Sequence, residues 1–419
     1  VNTFKLTRAA LDAAMNRPLE TLEHLFKQVN LGQYFDSVME GRSPLHIFGA
    51  EEGAAPAGFI SRGDVIETIP GMRGVTIDGQ NVNDIWNNMH AMLAAFNASA
   101  DAITAFLTFG VINPTEKIGV PTNPGFQVAT EFGRPSKIRM TQVSRGFPLE
   151  HFDLGDGYTQ EYIDEATGAQ LLAVQATVFS SWAQLRRELV LAALYGSANY
   201  TDKDQIAVKR LYNGDGEVPP TIKRWTFAGT HTHYLWSAGV AFAQGDLDSM
   251  SEHLVHHGFR EFGDATFILH VHRDNLPLVR SFANFIPAET GERPQELTGS
   301  GVIAGLQRTA GAGGLRVEGW CNDWTIVQNN DNPTGYFLGT VAGGPFDTRN
   351  VVGLRAHSNP SARGLRLIEG NRQNYPLYDS VYDGYMGAGV GQRGAAVVMY
   401  QDTGAGAAYV DPTVFNTGE

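Results

Sequence analysis

Hydrophobic positions along this chain change period several times, and each change marks an element. Over residues 7–28, Leu11, Ala14, Leu19, Leu22 and Leu25 recur at roughly helical spacing, and Pro18 kinks or splits the run. Residues 60–75 are strand-like and punctuated by Pro70-Gly71. Residues 83–109 carry Trp86, Met89, Met92, Leu93, Phe96, Ile103 and Phe106 on one face, which predicts a helix packed into a core.

The period then drops to two. Phe126, Val128 and Phe132 alternate with Gln127 and Glu131. Gly133-Arg134-Pro135-Ser136 is a turn signal, after which Ile138 and Met140 alternate with Lys137, Arg139 and Thr141. Residues 118–157 together predict a long hairpin, whose arms of about ten residues at ~3.3 Å each reach beyond ~30 Å. A lone two-stranded ribbon is marginal in water. Such an arm lies either on another subunit or on its own domain; the lack of bulky residues for a private core favours the subunit. Residues 164–195 predict one long helix, ~45 Å at 1.5 Å per residue. Leu171, Leu172, Val174, Val178, Trp182, Leu185, Leu189 and Leu194 form its apolar side, and Gly196 fits a left-handed stop.

Residues 225–353 read as an α/β region, with helices at 246–257 and 274–285 and strands at 267–272, 315–330 and 336–343. The tail is glycine-rich, with strands at 364–368, 395–400 and 408–415. A length of 419 residues suffices for two or three domains. The 48 glycines are scattered without a repeat, which implies turns, bulges and close backbone approaches. A net charge of −13 argues against a basic face that reads nucleic acid. Cys321 is the only cysteine, so no intramolecular disulfide forms and no oxidising compartment is needed. No apolar run approaches the ~18 residues of a membrane span. The polar start, Val1 to Arg8, lacks the apolar core of a signal peptide; with a single cysteine, assembly in a cytoplasm is the simple expectation.

Candidate chemistry is sparse. Histidines gather at 231, 233, 253, 256, 257, 270 and 272, and the pairs His231/His233 and His270/His272 have the i,i+2 spacing that suits a metal on a strand. The other reading is of packed structural histidines, and it is the one adopted: no metal, cofactor or catalytic residue is assigned. Gly387-Ala388-Gly389-Val390-Gly391 lacks the strand-then-helix context of a dinucleotide loop and reads as turn glycines. Gly299-Ser300-Gly301 is no nucleophile elbow. Residues 329–332 and 153–156 lack calcium-loop spacing.

The order of elements resembles the major capsid proteins of tailed bacteriophages, those with the Hong-Kong-97-type fold. It runs N-terminal arm, long hairpin, long helix, α/β domain, then returning glycine-rich strands. Phe152-Asp153-Leu154-Gly155-Asp156-Gly157-Tyr158, with Gln184-Leu185-Arg186-Arg187-Glu188 in the helix after it, is similar to the hairpin-to-helix junction of actinobacteriophage shell proteins. His253-Leu254-Val255-His256-His257-Gly258, Phe267-Ile268-Leu269 and Asn275-Leu276-Pro277 are similar to their axial-domain helix and strand. The resemblance covers roughly residues 110–419.

It implies an α+β fold divided as follows: residues 1–117 an N-terminal arm and extended N-terminal region, 118–157 the E-loop hairpin, 158–224 the spine helix and part of the peripheral domain, 225–353 the axial domain, and 354–419 the rest of the peripheral domain. It implies a structural protein that assembles with copies of itself, as hexamers and pentamers, into an icosahedral virion shell around double-stranded DNA contacted non-specifically. Expected partners are portal and scaffolding proteins and a decoration protein, with no membrane. Phe132, Arg134, Lys137, Ile138, Arg139 and Met140 become the expected E-loop interface. Some members crosslink an E-loop lysine to a peripheral asparagine beside a glutamate. Lys137 with Glu369, Asn371 and Asn374 are the candidates here, against the alternative of an ordinary surface lysine. An encapsulin-type shell protein shares the fold and is the first alternative; a histidine-metal hydrolase is the second.

Overall fold

The computed structural model describes residues 76–77, 80–99, 101–122, 139–157, 168–223, 225–237, 241–259, 266–288, 316–368, 380–402, 404 and 408–415. The elements expected at residues 7–28, 60–75 and 126–132 lie outside these. In chain order the described elements are β1 (Thr76–Ile77), β2 (Gln80–Asn81), α1 (Val82–Ala98), α2 (Ala102–Leu107), β3 (Thr108–Val111), β4 (Thr115–Thr122), β5 (Arg139–Gly146), β6 (Glu150–Asp156), α3 (Gly168–Tyr195), β7 (Tyr200–Thr201) and β8 (Ala207–Val208). Then follow β9 (Tyr234–Trp236), α4 (Gln244–His256), β10 (Thr266–Val271), α5 (Leu276–Arg280), β11 (Phe285–Pro287), β12 (Arg316–Cys321), β13 (Trp324–Gln328), β14 (Tyr336–Ala342), β15 (Val352–Ala356), β16 (Gly364–Ile368), β17 (Ser380–Val390) and β18 (Ala396–Tyr400). Among them no helix is long and apolar enough to cross a membrane.

The chain forms two compact units. One takes, from the described residues, those up to Ser99 together with Phe152–Ala183 and Gly364–Gly384. In it Met89 and Leu93, one turn apart on α1, are buried, as are Val178, Phe179 and Trp182 on α3 and Leu365, Leu367 and Tyr382 on the strands. Phe96 stacks on Phe179 with ring centroids 4.6 Å apart. The Asn97 amide behaves as an extra strand residue: it donates to the Leu365 carbonyl at 2.7 Å and accepts from the Leu365 amide at 3.0 Å. Gly364 lies beside it in the left-handed region, φ +76, where a side chain would meet the Asn97 amide.

The other unit takes Ala100–His151, Gln184–Arg363 and Tyr385–Glu419. Its centre is a seven-stranded sheet in the order β11-β12-β13-β10-β14-β18-β9. Pairing is antiparallel except for β10 with β13 and β18 with β9. Every residue of β14 is buried, as expected for a central strand covered on both faces. Leu247, Met250 and Leu254 of α4 and Val190, Leu191, Leu194 and Tyr195 of α3 belong to the same core. Trp324 Nε1 donates to the Leu247 carbonyl at 3.1 Å, and Gly339 leaves room for the indole. In the remaining large sheet, β15 pairs antiparallel with β17 and parallel with β3, and β6 also pairs with β17.

Several sequence expectations are corrected. The helix expected over 83–109 is two helices. Asp101 caps the second by accepting the Thr104 amide at 2.8 Å, and Phe109 lies in β3. The 274–285 helix is a 3-10 turn plus the five-residue α5, because Phe285 pairs with Cys321 in a sheet. The single strand expected over 315–330 is β12 and β13, joined by a two-residue turn with Asn322 at φ 50. Residues 413–415 form a 3-10 turn, not a strand. The long helix ends at Tyr195 as expected, but Gly196 is not left-handed: a Cβ there would crowd the Ala192 carbonyl at 3.1 Å and the Arg210 guanidinium at 3.3 Å.

Candidate functional site

The hairpin is narrower than the sequence suggests. β4 and β5 pair in eight-residue register, from Thr115↔Gly146 to Thr122↔Arg139. Glu150–Asp156, expected as the irregular end of the hairpin, is instead β6. The ribbon is a separate two-stranded sheet, and none of the described side chains of β4 is fully buried.

What is well built is its base. Phe147 is fully buried against Phe109, edge to face at 6.2 Å, with Val111 and Ile118 beside them. The Phe147 amide donates to Pro114 at 2.9 Å, and its carbonyl accepts from Arg355 at 2.8 Å. Gly353, Gly387, Gly389 and Gly391 let this base lie close on β15 and β17. A Cβ on Gly387 would run into the Pro148 carbonyl; one on Gly391 would stand 2.5 Å from the Phe109 ring. The Gly387–Gly391 run is therefore not a turn. Gly387 and Gly389 are inside β17, with Ala388 and Val390 buried in the core.

Arg145, near the base end of β5 and two residues before Phe147, is also buried. It reaches Glu217 at 2.6 Å. Arg393, fully buried, lies 2.8 Å from the same carboxylate and 3.1 Å from Asp215, and also donates to the Arg210 and Leu211 carbonyls. Burial pushes the Glu217 carboxyl up, but Arg145 and Arg393 outweigh it and hold the group below its ordinary value. Asp215 is likewise held low: burial opposes, and Lys209 and Arg393 prevail.

Of the expected interface and crosslinking residues, Phe132, Arg134, Lys137, Ile138, Glu369, Asn371 and Asn374 lie outside the described residues. Arg139 and Met140 stand opposite Thr122 and Pro121, at the end of the described ribbon away from its base.

The histidines separate into two cases. His270 is buried on β10 with its ring 3.3 Å from the Thr340 hydroxyl, and burial pushes it down to about 3. His272 accepts the Asp274 amide at 3.2 Å and caps a turn. These two do not converge. His231 and His233 do, and a third ring that the spacing did not suggest joins them: His257, at the C-terminal cap of α4. Their Nε2 atoms lie 2.9–3.1 Å from one another. Burial first, and the neighbouring histidines second, lower all three: His231 to about 4, His257 to about 3, His233 well below the ordinary value. Residues 329–332 are a structural turn: Asn329 accepts the Asp331 amide, and Asn332 donates to His270 and Tyr336.

The chain is thus an α+β protein with a two-stranded ribbon seated on a closely packed base. Comparison with known proteins gives the class its family. No family model matches the chain, and no curated protein matches it. Among solved structures it is similar to a chain of Mycobacterium phage Patience, with 32% identity and a TM-score of 0.59 over 82% of this chain and 94% of that one. Looser likenesses are to the mature capsid of bacteriophage PhiM1 (9% identity, TM-score 0.42, 72% and 87% covered) and the capsid of Ralstonia phage GP4 (10%, 0.43, 72% and 86%). The chain belongs to the major capsid proteins of tailed bacteriophages.

Proposed function

We propose that this chain builds an icosahedral shell from hexamers and pentamers of itself, around double-stranded DNA. The observation that carries this is the β4–β5 ribbon, anchored by a buried base yet with no buried side chain among the described residues of β4. Eight paired residues at ~3.3 Å extend about 26 Å, and a ribbon that thin gains stability only against another surface. In a shell that surface is the neighbouring subunit. Phe132, Arg134, Lys137, Ile138, Arg139 and Met140, at and beyond the described end of the ribbon, form the contact.

In this reading the β4–β5 ribbon is the E-loop, α3 the spine helix, and the seven-stranded sheet, which takes β18 from the C-terminal part of the chain, the centre of the axial domain. Many modest repeated contacts add up to a stable wall. Portal, scaffolding and decoration proteins are its partners, the host cytoplasm its place of assembly, and the virion its destination. Lys137 with Asn371 or Asn374 and Glu369 is the candidate crosslinking set, in which the lysine amine would displace ammonia from the asparagine amide; the alternative is an ordinary surface lysine.

Negative-stain microscopy of the purified chain tests the reading. Closed uniform particles are expected, and a small discrete oligomer overturns it. Replacing residues 121–140 by a short turn should leave a folded chain that no longer closes shells. Denatured particles should run as covalent oligomers; a single band at 45.5 kDa disposes of the crosslink alone.

A further inference from the structure

The histidine triangle is a group of side chains that the shell reading does not use. Each neutral imidazole nitrogen has one in-plane valence, either a proton or a lone pair. Three Nε2 atoms facing one another at 2.9–3.1 Å can therefore satisfy one N–H···N bond among them, leaving the third atom without a partner. A buried polar atom left unpaired costs about 1–3 kcal/mol. One cation at ~2.0–2.1 Å from each nitrogen, sitting about 1 Å off their plane, would accept all three lone pairs at once.

The surroundings set the rings for that role. His233 Nδ1 lies 2.6 Å from the Ala396 carbonyl; a carbonyl only accepts, so Nδ1 carries the proton and Nε2 presents its lone pair inward. Phe227 and Tyr212 lie parallel to the His257 ring, at 4.6 Å and 5.6 Å with interplanar angles of 3° and 9°. Gly394 keeps the space beside that ring clear, since a Cβ there would stand 2.9 Å from it. The His253 ring centroid lies 5.7 Å from that of His231, and its Nδ1 is directed at the Ser249 carbonyl at 2.9 Å, which leaves its Nε2 free as well.

We propose that His231, His233 and His257 bind a late first-row divalent cation, Zn2+ above all, through their Nε2 atoms. Three imidazoles and no carboxylate suit zinc rather than magnesium or calcium. The cation joins the segment entering β9, which is the edge strand of the seven-stranded sheet, to the end of α4. It is a structural pin within one subunit, independent of the ribbon and of shell closure.

The test is zinc binding to the full-length chain, by dialysis against Zn2+ with metal analysis, alongside zinc-edge X-ray absorption. One zinc per chain with three imidazole neighbours at ~2.0–2.1 Å is expected. His257→Gln should weaken binding at least ~100-fold, more than the ~10–100-fold that loss of a supporting partner costs, while His272→Gln leaves it unchanged. Zinc bound equally by wild type and a folded His257→Gln overturns the proposal, as does no binding by wild type. If His257→Gln does not fold, the absorption spectrum of the wild type decides: fewer than two imidazole neighbours overturns it.

Discussion

Arg145 and Glu217 meet at 2.6 Å where the ribbon enters the body of its unit, 72 residues apart in the chain. Arg393 completes the arrangement from a third segment at 2.8 Å. Removing one partner from such a group leaves a buried charge uncompensated, which costs about 3–5 kcal/mol. Arg393→Ala should fall at the lower end of that range, because Asp215 keeps Lys209 and Glu217 keeps Arg145. Urea denaturation of dissociated subunits measures this.

The same carboxylates set an acid limit. Their folded pKa values lie below those of the unfolded chain, so their stabilisation is present above the unfolded value and is lost as pH falls through the folded one. Wild type should lose stability below about pH 4, and Glu217→Gln should lose less over that window. Melting temperatures from pH 6 downward, compared between the two, check the sign.

Phe147→Ala should destabilise by about 3–5 kcal/mol, the usual cost of emptying a buried aromatic site. Because Phe147 packs on Phe109, Val111 and Ile118, the loosening should concentrate in the ribbon. Hydrogen exchange is the readout: amides of β4 and β5 should speed up more than those of β14.

Gly387→Val should fail to give stable protein, since the Pro148 carbonyl occupies the place of the new side chain. Gly245→Ala, at a helical position with nothing nearby, should be tolerated. Soluble yield and circular dichroism compare the two.

The histidine rings predict a second pH effect, in metal-free protein. Their folded pKa values lie below the ordinary 6.5, so the unfolded chain binds more protons between about pH 4 and 6.5 and stability falls on acidification. Each fully buried ring contributes up to about 1.4 kcal/mol per pH unit there, and the half-exposed ones less. His253, His256 and Tyr212 face the same cluster. Melting temperatures at pH 7.5 and 5, in the presence of a chelator, should differ by less in a His231→Gln/His257→Gln double variant.

Local pattern made some of this legible and left the rest out of reach. The end of the long helix at Tyr195, the helix over 244–256 and the strands at 266–271 and 336–342 follow from periodicity, which each segment carries by itself. Asp101 as a helix cap and Asn322-Asp323 as a hairpin turn are local signals that the sequence itself carries. The strand glycines of β17 were not readable, because what demands them is Pro148 and Gly146, more than two hundred residues earlier in the chain. His231 and His233 announced themselves by spacing. His257 belongs to a different element, and only the tertiary fold brings it to them.

The long separations have a consequence for synthesis. Asn350 clamps the Thr108 carbonyl from 242 residues away, and β3 finds its partner only in β15. The seat of the ribbon is completed later still, by Gly387 and Gly389. A growing chain therefore displays β4 and β5 before the ribosome has supplied the strands that hold them. Late closure of this kind is slow and leaves ribbon edges open to wrong partners. A chain truncated before β15 should therefore lack the strands on which the base of the ribbon is seated.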